Sequence, residues 1–163
     1  MRIISFTILF VVFFCACKRP VQYSDIPEIK FISFEILTQT DGLLTFYFQD
    51  GDGDIGLNEY EMYPPFDKSS MYHYNFLCDY YEKQNGVFVK IDSIETPNGI
   101  RPYHFNARFP RLSNLPEESI NGEINLKMVP YRINNQYDTV KLKFYIVDRK
   151  LNHSNVEEVV VIR

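Results

Sequence analysis

An all-β sandwich is the fold this sequence predicts, and three observations predict it. Apolar and polar residues alternate over segment after segment, with Gly, Pro, Asn and Asp gathered between the segments. Twelve Tyr and fourteen Phe enrich the chain in aromatic residues that favour strands. No stretch sustains a helical period through several turns.

Taken in order, the first strand is expected near Ile29 to Leu37, turning Ile32, Phe34 and Ile36 to one side, with Thr40-Asp41-Gly42 reversing the chain. Leu43 to Gln49 then points Leu44, Phe46 and Phe48 inward. A long irregular stretch, Asp50 to Ser70, carries Pro64 and Pro65 and precedes a third strand over Met71 to Glu82. Gln84-Asn85-Gly86 marks a tight hairpin into Val87 to Ile91, because Asn-Gly suits a two-residue turn with positive φ. Tyr103 to Phe109 alternates, as does Gly122 to Val129 through Ile124, Leu126 and Met128. Val140, Leu142, Phe144 and Ile146 give the clearest inward face, against Lys141 and Lys143 outward, and Val156 to Ile162 closes the chain.

Seven to eight strands at this spacing resemble an immunoglobulin-like or fibronectin-III-like antiparallel β-sandwich, although the Cys-Trp-Cys core of antibody domains is absent. A lipocalin-like barrel is the alternative, and it would need more uniform hairpins than the Asp50 to Ser70 connection allows. In the sandwich, the second and the penultimate strand run in the same direction in opposite sheets. The loops that follow them are therefore expected side by side at one pole.

The N-terminus predicts location. Arg2 precedes an apolar run from Ile3 to Phe14 that ends in Phe14-Cys15-Ala16-Cys17, the pattern of a secretory signal. The run is shorter than the ~20 residues a spanning helix needs. The segment resembles a bacterial lipobox, which implies cleavage after Ala16 and covalent lipid on Cys17. The expected organisation is a signal peptide over 1–16, a lipidated tether over 17–27 and a β-sandwich domain over 28–163. Lys18 stands where an inner-membrane retention signal has aspartate, so that resemblance implies the outer membrane, with the protein on either its periplasmic or its surface face. Lys18 and Arg19 would add attraction to anionic headgroups.

Removal of residues 1–16 leaves sixteen basic and twenty-one acidic residues, a net charge of −5. That balance argues against nucleic acid as a partner. Once Cys15 is cleaved off and Cys17 carries lipid, Cys78 has no cysteine to pair with. It shares an alternating face with Tyr72, Tyr74, Phe76 and Tyr80, which predicts a buried, inert thiol.

One motif carries chemistry. Asp50-Gly51-Asp52-Gly53-Asp54-Ile55-Gly56 sets three carboxylates at alternate positions, separated by glycines that permit a tight curl. Such a loop offers oxygen ligands to Ca²⁺. Against an EF-hand, Asp50, Asp52, Asp54 and Glu61 match, but Ile55 stands where glycine is required and no helix precedes the loop. The other reading is a turn that needs Asp and Gly only for its shape. A second stretch, Asp148 to Asn155, resembles the Asp-x-x-x-Asn-x-Ser turn near the last hairpin of bacterial immunoglobulin-like domains. The metal ligands expected from the two loops together are Asp50, Asp52, Asp54, Asp148 and Asn152.

The two motifs together resemble a family of uncharacterised Gram-negative lipoproteins, which implies a fold and a location and no activity. The function expected is that of a non-enzymatic binding or structural module with an unidentified envelope protein or glycan as partner. A glycan-binding role would use Tyr60, Tyr63, Tyr72, Tyr74, Tyr80 or Tyr81. A hydrolase using Glu59 and Glu61 is the remaining alternative, and it lacks the apolar pocket that would raise one carboxyl pKa.

Overall fold

The computed structural model describes residues 23–112, 118–133 and 136–163; the segment 1–16 expected to be a signal peptide, and Cys17, lie outside the described residues. The described chain is all-β, with nine strands. These are β1 (Glu28–Ile36), β2 (Gly42–Asp50), β3 (Phe76–Gln84), β4 (Val87–Lys90), β5 (Ser93–Thr96), β6 (Gly99–Pro102), β7 (Ile120–Met128), β8 (Thr139–Ile146) and β9 (Glu157–Ile162). Seven of them make the sandwich, as sheets of order β1-β2-β7 and β4-β3-β8-β9, while β5 and β6 form a separate hairpin. Every pairing is antiparallel. Two sheets therefore replace the closed barrel of the alternative reading.

The core lies between the facing sides of the two sheets. Leu44, Phe46 and Phe48 of β2 meet Phe76, Cys78 and Tyr80 of β3 and Val140, Leu142, Phe144 and Ile146 of β8. Phe46, Phe76 and Phe144 pack ring on ring, with centroids 5.5–5.7 Å apart. Full burial of each such side chain stabilises by about 1.5–3 kcal/mol, so this aromatic centre holds the sheets together. Cys78 is buried as expected, and burial pushes its thiol pKa up.

Four expectations need correction. In β1 the register shifts between Phe31 and Ser33. The extra residue reverses the alternation before it, so that Ile29 and Phe31 join Phe34 on the core while Ile32 is exposed; Ile36, on the face of Phe34 at the strand's end, is exposed as well. The third strand starts at Phe76, because Met71–His73 form a 3-10 turn capped by Ser70. Tyr103 to Phe109 follows the edge of β3 without forming a full strand. Ala107 exchanges backbone bonds with Phe76, but Asn106 interrupts the ladder by accepting from Cys78 N through its side chain. The β5–β6 hairpin was not expected; its turn, Pro97-Asn98-Gly99, carries the signal for it. The Asn85-Gly86 turn is as expected, with φ of 51° and 85°.

Candidate metal centre

β2 and β8 lie in opposite sheets and end at the same pole, which brings together two loops about a hundred residues apart. The first loop runs from Asp50 and packs under other backbone. Gly53 has φ +65°, and a Cβ there would overlap the Glu118 carbonyl. Gly56 has φ +95°, and a Cβ would overlap the Pro110 carbonyl. Both positions exclude any L-residue with a side chain. The Asp54 N–H closes the curl by donating to Asp50 Oδ2 at 2.9 Å.

The second loop is a turn held by its own side chains. Asn152 donates to Asp148 twice, from its backbone N at 2.7 Å and from Nδ2 at 2.8 Å, which fixes the Asp148 carboxylate. Ser154 Oγ accepts from Ile146 N at 3.0 Å, and Asn155 forms two bonds to the backbone of Ile29, tying this loop to β1.

Carboxylate oxygens of Asp50, Asp54 and Asp148 all lie within 4.8 Å of one another. Two oxygens bound to one Ca²⁺ at about 2.4 Å stand at most about 4.8 Å apart, so the spacing suits a single ion. Asp50 is 0% exposed and Asp148 3%. Oδ1 of Asp50, of Asp52 and of Asp54 is buried with no hydrogen-bond partner among the described residues. Three orphaned anionic oxygens in one loop are costly unless a cation satisfies them. The donors are all hard oxygens, which suits Ca²⁺ better than zinc.

The electrostatics agree with the geometry. Burial, then the charges of Asp52, Asp54 and Asp148, raises the Asp50 pKa to about 7. Burial with Asp148 and Asp52 raises Asp54 to about 6, and burial raises Asp148 against the lowering effect of Asn152.

Of the five ligands expected from sequence, Asp50, Asp54 and Asp148 converge. Asp52 is not among the three that converge: its Oδ2 forms an ion pair with Lys150, and its Oδ1 is buried without a partner among the described residues. Asn152 serves as the support of Asp148. A further contact crosses between the loops: the Arg149 guanidinium pairs with buried Glu61.

Sequence reasoning missed Arg108. Its guanidinium reaches the carbonyls of His73 at 2.9 Å, Asn58 at 2.8 Å and Glu61 at 2.7 Å, and so shapes the long connection. An Arg on the polar side of an alternating segment gives no sequence signal for that role. Burial pushes Glu61 up, but the Arg149 contact and the Asn58 N–H outweigh it and hold the pKa below the usual range. Glu59 is exposed. Tyr60 and Tyr63 are exposed, Tyr72, Tyr74 and Tyr81 are half-buried, and Tyr80 is buried in the core.

No protein-family model, no curated protein and no solved structure matches this chain.

Proposed function

We propose that this chain is a lipid-anchored cell-envelope module, non-enzymatic, whose β2–β3 and β8–β9 loops are clipped together by one Ca²⁺. The observation that carries the cation is the convergence of Asp50, Asp54 and Asp148, with orphaned, buried oxygens on Asp50 and Asp54. Asp50, Asp54 and Asp148 would hold the ion directly, and Asp52, in the same loop, would add negative charge nearby. Bound there, Ca²⁺ supplies charge neutralisation and a cross-link between sheets, which fits a structural or binding role.

A hydrolase built on Glu59 and Glu61 is disfavoured, since Glu61 is held ionised by Arg149 and is unsuited to donate a proton. The anchor rests on the Cys17 motif, and the acidic balance and aromatic loop leave an envelope protein or glycan as the partner class.

Two measurements test the reading. Acyl labelling of the full chain in a Gram-negative host should mark the wild type and fail in Cys17→Ser. Millimolar Ca²⁺ should raise the melting temperature over EDTA; with a Kd near ~10⁻⁴ M the gain is on the order of 1.4 kcal/mol. An identical melt in both buffers would leave the loop a shaped turn.

A further inference from the structure

The chain enters the sandwich at the cation pole. Ser24 O accepts from Gly51 N at 2.8 Å, inside the aspartate loop, and Tyr23 OH accepts from Asn121 Nδ2 at 3.2 Å. β1 begins at the same end, with Glu28 opposite Gln49 of β2. From Cys17 to Ser24 is seven residues, a reach of at most ~25 Å even when fully extended. The nine residues of β2 span ~30 Å from this pole to the other.

We infer that the cation pole faces the membrane and rests its exposed apolar side chains on the bilayer interface. The inference rests on the Cys17 anchor proposed above. With the lipid in the bilayer, the tether is too short to let the opposite pole reach the membrane surface. What remains is an upright or tilted sandwich with this pole down. The side chains it offers suit an interface. Tyr60 is 77% exposed, Tyr63 56% and Met62 43%, on the loop that Arg149 ties to the cation site through Glu61. Ile26, near the end of the tether, is 56% exposed. Tyr has an apolar body and a polar tip, and it collects at the headgroup level of membranes. Filling the carboxylate site with a cation would also remove negative charge from the end that meets anionic headgroups.

The test uses full-length lipidated protein in phosphatidylethanolamine–phosphatidylglycerol vesicles with millimolar Ca²⁺. A fluorophore is attached at Tyr60→Cys or, at the far pole, at Gln39→Cys, both exposed positions, and spin-labelled lipid serves as quencher. The mass of each protein reports the anchor. An acylated protein quenched severalfold more at position 60 than at position 39 supports the inference. An acylated protein quenched equally at both, more at position 39, or at neither overturns it while leaving the anchor intact; quenching at neither leaves the rings to a soluble partner such as a glycan. A protein without acyl mass overturns the anchor and the orientation with it.

Discussion

Asp50→Asn should stabilise the metal-free protein, and calcium should remove most of that advantage. In the metal-free protein at pH 8, Asp50 is ionised and fully buried beside three other carboxylates. Its pKa stands at about 7 against an ordinary 3.8, raised first by burial and then by Asp52, Asp54 and Asp148. At ~1.4 kcal/mol per tenfold change in proton affinity, the ionised side chain costs up to about 4 kcal/mol. Side-chain relaxation and entering water lower that figure, and we take about 2 kcal/mol as the working value. Asparagine keeps an oxygen for the Asp54 N–H and turns an amide toward Asp54 and Asp148, so the variant should melt roughly 6 °C above wild type in EDTA. In millimolar Ca²⁺ the wild type gains stability and the variant does not. The pH dependence follows the same sign. The folded state holds the Asp50 proton more tightly than the unfolded chain, so this contribution is complete below about pH 4 and is lost as pH rises through about 7. Differential scanning fluorimetry of both proteins, with and without Ca²⁺, reads all of this. If Asp50→Asn melts below wild type in EDTA, the buried carboxylate is no burden and the reasoning is refuted.

Three further outcomes are expected. Gly53→Ala should lose 2 kcal/mol or more in a denaturant melt, because alanine at φ +65° is strained and its Cβ meets the Glu118 carbonyl. Arg108→Lys should lose about 2 kcal/mol and make the segment between residues 57 and 73 sensitive to protease, since one ammonium cannot span three carbonyls from separate turns. Cys78 should resist alkylation in the native protein and react only on unfolding, and rapid modification at neutral pH would contradict its burial.

The strands legible in the sequence are those buried on one face with clean alternation. Val140 to Ile146 and Leu44 to Phe48 appear in the structure with the inward sets that their patterns imply. Asn85-Gly86 was legible because its backbone requirement is local. The part of β1 before Ser33 departs from its expected phase because a bulge adds one residue and leaves no mark in composition. β3 begins five residues later than its pattern implies, since Tyr72 and Tyr74 continue the aromatic alternation through a 3-10 turn. For the site, strand order alone brought Asp50 and Asp148 to one pole, and the residue types alone suggested oxygen ligation. What pattern does not carry is how the site is buttressed. Asn152 holding Asp148, Lys150 on Asp52 and Arg149 on Glu61 depend on three-dimensional approach between distant loops.

The central claim is that one Ca²⁺ joins the two loops, and calorimetric titration of Ca²⁺ into the metal-free protein tests it most directly. The account predicts saturable binding of one ion per chain with a Kd near ~10⁻⁴ M, lost in both Asp50→Asn and Asp148→Asn although the two residues stand on opposite sheets. The absence of saturable heat in the wild type, or unchanged binding in either variant, would contradict it.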